Sequence, residues 1–190
     1  MLRAVLINGW QRIYCVDGNQ LPAFGHQVTW TPNAQWTLNS SSFVGSDTPD
    51  SARQVRYFHH FHGKWTPTPQ FGLTLASDIG AQQTAPEQPT LSPWYNVVLV
   101  GRYAPTPVLA LAARAEYYSD VTQIIVGTGT PNGCPTLGFS LNVDLHLFQR
   151  ALWRVEGRWF RRVGDAIFET ASGLANVDNS MVGTTLSVRF

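Results

Sequence analysis

From Leu137 to Leu147 every odd-numbered residue is large and apolar: Leu137, Phe139, Leu141, Val143, Leu145 and Leu147. The even positions between them are Gly138, Ser140, Asn142, Asp144 and His146. A strand turns successive side chains to opposite faces, so this segment has one apolar face and one polar face. Its eleven residues suit the roughly 9–11 that a tilted strand needs to cross bilayer hydrocarbon. The same alternation recurs along the chain. Tyr57, Phe61 and Trp65 oppose Arg56, His60 and Lys64, while Leu109, Leu111 and Tyr117 oppose Ala110, Arg114 and Glu116. Helical periodicity fits none of these segments. The pattern predicts ten strands, at about 2–10, 26–31, 35–44, 53–65, 70–80, 95–104, 108–118, 137–148, 151–162 and 181–190.

A repeated turn joins them. Trp30-Thr-Pro32 through Trp36 recurs as Trp65-Thr-Pro67 through Phe71 and as Tyr103-Ala-Pro105 through Leu109. Pro with Thr or Asn sets a tight turn, and Leu147 to Trp153 keeps the spacing with Gln149 in place of Pro. The opposite connections are longer and polar, at 15–25, 45–52, 81–93, 119–135 and 163–179. Short turns at one end and long loops at the other are the asymmetry of bacterial outer-membrane barrels. The predicted fold is therefore all-β: one transmembrane up-and-down antiparallel β-barrel domain over residues 1–190, with both termini on the short-turn side.

Composition sharpens this picture. Only 13% of residues are charged, against roughly 25% in an average soluble domain. The net charge of +1 gives no general attraction to nucleic acid. The longest clean apolar run, Val108 to Ala113, is far below the roughly 18 residues of a membrane helix. Met1 to Asn8 is too short for a secretory leader, so the expectation is either a mature chain or, the favoured reading, the C-terminal part of something longer whose N-terminal strands and signal precede this sequence. The sequence holds seven Trp, six Tyr and ten Phe, and nine of these aromatics fall where interfacial girdles would lie. Trp30, Trp36, Trp65, Phe71, Tyr103, Trp153 and Phe190 sit near the tight turns, and Tyr95 and Tyr117 eight residues further along their strands. Eight tilted residues rise about 20 Å, close to the roughly 25 Å apolar band of such barrels. Val182, Thr184, Leu186, Val188 and the terminal Phe190 share one phase. This resembles the signature read by the barrel-assembly machinery, with Phe190, Val188 and Leu186 as its carriers.

The hairpin from Val98 to Asp120, with its Pro-containing turn and its Arg114-Ala-Glu116-Tyr117-Tyr118-Ser-Asp120 strand end, resembles the OmpL-like β-barrel porins. Asn8-Gly9-Trp10, the Trp-Thr-Pro turns, Glu156-Gly-Arg158 and Phe190 are compatible with that family. The resemblance implies an outer-membrane channel of undefined substrate and brings no catalytic residue with it.

Candidate chemistry lies on the polar phase. Arg56, Lys64, Asp78, Arg102, Arg114, Glu116, Asp144, Arg154, Glu156 and Arg158 all fall there. Arg or Lys on a lipid face would cost roughly 2–4 kcal/mol at mid-bilayer. They are therefore expected either to line a pore and set ion preference or to form structural ion pairs filling a narrow interior. In both readings Arg114, Arg154 and Arg158 face Glu116, Asp144 and Glu156 across adjacent strands. His59, His60 and His62 suggest a metal, yet His59 points away from the other two and no further ligand has suitable spacing. Ordinary strand histidines are the plainer reading. Cys15 and Cys134 lie in loops on the same side, so a disulfide is conceivable, although two unpaired thiols are simpler. Nucleophile, phosphate-loop and zinc-protease motifs are missing from the sequence. A rim hydrolase built on Asp47, Asp50 and Asp120 is the remaining enzymatic reading. The sequence thus points to a non-enzymatic porin-like channel in the bacterial outer membrane, without cofactor or metal. Its expected partners are membrane lipid, the assembly machinery and small polar solutes. The alternatives are an adhesive barrel whose long loops bind a partner, and a soluble, lipocalin-like barrel with its apolar phase inside.

Overall fold

A computed structural model describes residues 1–86, 90–147 and 150–189. The alternating segments form β1 (Leu2–Ile7), β2 (Ala23–Asn33), β3 (Trp36–Ser46), β4 (Val55–Trp65), β5 (Phe71–Gln83) and β6 (Leu91–Tyr103). They continue as β7 (Leu109–Ser119), β8 (Thr136–Leu147), β9 (Ala151–Arg162), β10 (Phe168–Glu169), β11 (Ala175–Asn176) and β12 (Asp178–Val188). A 3-10 turn at Asp50–Ala52 is the only helical segment among the described residues. Ten strands form one antiparallel sheet in the order β1-β2-β3-β4-β5-β6-β7-β8-β9-β12, and β10 and β11 pair separately.

The up-and-down order is the one the alternation predicts, but the sheet is not a closed barrel. Among the described residues β1 pairs only with β2, and β12 only with β9. Closing a ring requires two edges that can ladder along matching lengths. Here six residues of β1 would have to meet eleven of β12. β1 ends at Ile7 rather than near Trp10 because Gly9, at φ +146°, turns the chain away. The connection expected as one loop over 163–179 instead holds the β10–β11 hairpin and the start of β12.

Side-chain hydroxyls and amides shape the short turns. Asn33 Oδ1 accepts from the amides of Gln35 and Trp36. Thr68 Oγ1 accepts from Phe71 N, and Thr106 Oγ1 from Val108 N and Leu109 N. Each is a local side-chain mimic of a backbone turn.

Register then fixes the faces. Trp36, Trp65, Leu73, Gly101, Ala113, Leu141, Gly157 and Val182 are successive cross-strand partners on one face. Thr37, Lys64, Thr74, Val100, Arg114, Ser140, Arg158 and Met181 run beside them on the other. The apolar face is the open one: Leu141 is 69% and Phe139 47% exposed, whereas Asp144 on the polar face is 8%. A soluble barrel of lipocalin type would place these residues the other way round. Aromatic contacts on the apolar face include Trp36 stacked on Trp65 at 5.9 Å, Phe71 edge-on to Trp65, and Tyr95 beside Tyr117 at 5.9 Å.

The small apolar core lies on the polar face, at the long-loop end. Trp10 packs edge-on against Phe43 and Phe58 at 5.1 and 4.6 Å, and both Phe43 and Trp94 are buried. Gly80 is Trp94's cross-strand partner, and a β-carbon there would run into the indole ring. Phe58 and Gly80 are partners too, so the missing side chain lets Trp94 lie flat across the sheet.

Candidate functional site

All ten charged candidates lie on the polar face. Arg56 pairs in register with Gly45 and Gln82, Lys64 with Thr37 and Thr74, Asp78 with His60 and Asn96, and Arg102 with Gly72 and Ala112. Arg114 and Arg158 flank Ser140, Glu116 neighbours Gly138, Glu156 neighbours Asn142, and Asp144 faces Arg154.

The ion pairs depart from the expected cross-strand ladder. Arg154 meets Asp144 across the β8–β9 pair, Nε–Oδ1 2.6 Å and Nη2–Oδ2 2.7 Å. Arg114 instead donates to Glu116, and Arg158 Nε to Glu156 Oε1 at 2.7 Å, each within its own strand. The reason lies in the register. Arg114 has Val100 and Ser140 beside it, and Arg158 has Ser140 and Met181, so no acid lies opposite. Long side chains lean along the strand and find the acid two residues away. Among the described residues Lys64 and Arg102 make no ion pair.

The histidines divide as strand geometry requires. On the polar face His60 Nδ1 lies 2.6 Å from Asp78 Oδ1, and His60 Nε2 lies 3.2 Å from His62 Nδ1. His59 is on the apolar face, where its Nε2 reaches Ser40 Oγ at 3.2 Å. There His26 joins in, with Nδ1 2.6 Å from Ser42 Oγ. This imidazole–hydroxyl patch interrupts the apolar surface of β2 to β4, a departure that the reading of single strands does not detect. Among the described residues no group of His, Cys, Asp or Glu is arranged to hold a metal.

The three rim acids do not converge. Asp47 Oδ1 accepts from Trp10 N at 2.8 Å, while its Oδ2 lies 3.3 Å from Arg56 Nη1. Asp50 accepts from Gln20 N at 3.1 Å. Asp120 is fully buried and takes the amides of Ile124, Ile125 and Val126 at 2.7 to 2.9 Å. Each is spent on anchoring a loop. Cys15 and Cys134 are free thiols, the first exposed and the second buried.

Sequence reasoning missed the fastenings at the long-loop end. Asp120 gathers the start of loop 120–135, and Gly133, at φ +58°, folds its end back beneath Asp120 and Val121. Arg162, 2% exposed, donates to the carbonyls of Gly133, Pro135 and Val163. Charged donors to carbonyls are strong hydrogen bonds, so the loop is held to the strand ends at both of its limits. The available signal was position: an acid and an arginine stand at the strand ends bounding the connections that carry this wall. The Trp10–Asp47–Arg56 fastening is of the same kind, with the Arg56 guanidinium 5.5 Å from the Trp10 ring and 5.8 Å from that of Trp94.

Leu186 and Val188 project from the apolar face of β12, 63% and 52% exposed, while Phe190 lies outside the described residues. No curated protein matches the chain. A family model described as Putative beta-barrel porin-2, OmpL-like, matches residues 1–190. An antiparallel sheet apolar on its open face and charged on its sheltered face, matched by that model from end to end, belongs to the OmpL-like β-barrel porin-2 family.

Proposed function

We propose that this chain forms a passive channel for small polar solutes or ions in a bacterial outer membrane, with the ten charged residues of the polar face lining its water-filled side. The observation that carries this reading is the sorting of charge. Across β4 to β9 every candidate Arg, Lys, Asp and Glu sits on one face. The other is mainly apolar with aromatic residues toward both ends, interrupted by His59 and, at the long-loop end, by Arg161 paired with Asp178. Lipid accepts the second surface and water the first. Unpaired backbone cannot remain in hydrocarbon, so the free edges of β1 and β12 pair in the membrane, with each other or with further strands. Lys64 and Arg102, which have no acidic partner among the described residues, would give the wall near the short turns a positive bias. In this reading Leu186, Val188 and Phe190 guide insertion by the assembly machinery.

Single-channel recording in planar bilayers tests the proposal. Discrete conductance steps, with reversal potentials in a salt gradient that shift on Lys64→Glu and Arg102→Glu, are the expected result. A folded, inserted protein that never conducts would overturn it in favour of an adhesive barrel.

A further inference from the structure

We infer that the polar face carries a binding pocket for small neutral aromatic compounds bearing a hydroxyl group. A cavity of about 380 Å³ lies where four strands meet two long loops, within the roughly 300–1,000 Å³ typical of ligand sites. Its floor is polar, with Asn96 from β6, Glu116 from β7 and Thr136 from β8. Its walls are apolar: Phe160 from β9, and Ile167 and Phe168 from the segment that follows.

Three observations define the ligand. First, Asn96 Oδ1 is buried, and among the described residues it has no hydrogen-bond partner. An unpaired acceptor is costly, so a small turn of the amide toward the cavity would let a donating ligand satisfy it. Second, Glu116 brings no free charge, because Arg114 donates to its Oε2. A neutral donor therefore suits the floor better than a cation. Third, the wall pairs two phenyl rings with aliphatic side chains, and an aromatic body meets such rings in offset or edge contact. Asp120 and Arg162 hold one loop flank in place, so that flank adds little ordering entropy to the cost of binding. Gly138 completes the floor: a β-carbon there would collide with the Glu116 carboxylate.

Placing the pocket on the water-filled side rests on the channel reading, whereas the pocket itself does not. The test therefore uses the full chain folded in detergent, with 4-fluorophenol followed by fluorine NMR. Saturable binding of 4-fluorophenol is expected, with fluorobenzene, which lacks the donor, binding about three- to tenfold more weakly. Asn96→Leu should erase that preference while leaving fluorobenzene binding unchanged. Ile167→Trp, which fills the cavity from a loop and leaves the strand sequences unchanged, should abolish binding of both probes. Equal affinity of the two probes for the unmodified protein, or unaltered binding by the Ile167→Trp protein, overturns the inference. Conductance without phenol binding would defeat the pocket alone, and phenol binding without conductance the channel alone.

Discussion

Arg154 and Asp144 meet face to face, two parallel hydrogen bonds of 2.6 and 2.7 Å joining β8 to β9 on the sheltered side of the sheet. Asp144 is buried among its neighbours while the Arg154 side chain remains about half exposed, at 46%. The two-point geometry strengthens the pair, and the exposure weakens it. A double-mutant cycle on Asp144→Ala and Arg154→Ala should give a coupling of about 1–2 kcal/mol, read from denaturant unfolding of the lipid-inserted protein. Glu156 and Arg158, a same-strand pair with both side chains about one-third exposed, should couple more weakly in the same assay.

Leu141 and Asn142 are adjacent in β8 yet stand on opposite faces. Leu141→Arg should destabilise the bilayer-embedded protein by roughly 2–4 kcal/mol, as Arg does at the lipid midplane of such barrels. Asn142→Arg should change stability by less than about 1 kcal/mol, its neighbours being Ala112 and Glu156. Equal penalties in unfolding titrations would reverse the assignment of faces.

Gly80 lies beneath the Trp94 indole. Gly80→Ala forces the ring off its seat and should cost about 1–3 kcal/mol, the range for overpacking a filled site. Trp94→Leu in the same chain should recover part of that loss. If Gly80→Ala alone unfolds at the unmodified denaturant midpoint, the tight packing at the long-loop end is disproved.

Asp120 organises loop 120–135 rather than the sheet. Asp120→Ala would leave three inward-pointing amides without their charged acceptor, and the loop should loosen by about 2 kcal/mol or more. Limited proteolysis should then cut within residues 121–133 while the strands resist. A loop as protease-resistant as the unmodified one would show that Gly133 and Arg162 suffice to hold it.

Much of the sheet was legible because a period of two needs no information from elsewhere in the chain. Leu137 to Leu147 alone told which residues share a face, and the Pro turns told how neighbours connect. Pairing partners were harder to read. Arg114 and Glu116 were expected to look across the strand gap, but register places Ser140 and Gly138 opposite them, and only the register of three strands together reveals this. The His26–Ser42 and His59–Ser40 contacts were hidden for the same reason, since each residue looks incidental within its own strand. The folded loops were illegible in a different sense. The roles of Asp120 and Arg162 depend on backbone amides and carbonyls, which every residue carries and no sequence pattern marks. Closure, finally, depends on how two distant edges match, and local alternation carries no record of that.

Every ladder in the ten-stranded sheet joins strands that follow one another along the chain, with only the small β10–β11 hairpin intervening before the last. Each pairing therefore closes over a local stretch of chain, which favours stepwise zipping from one hairpin to the next. The sheet is modular in consequence: excising a whole hairpin such as β4–β5 would narrow it by two strands and leave the remaining alternation in phase.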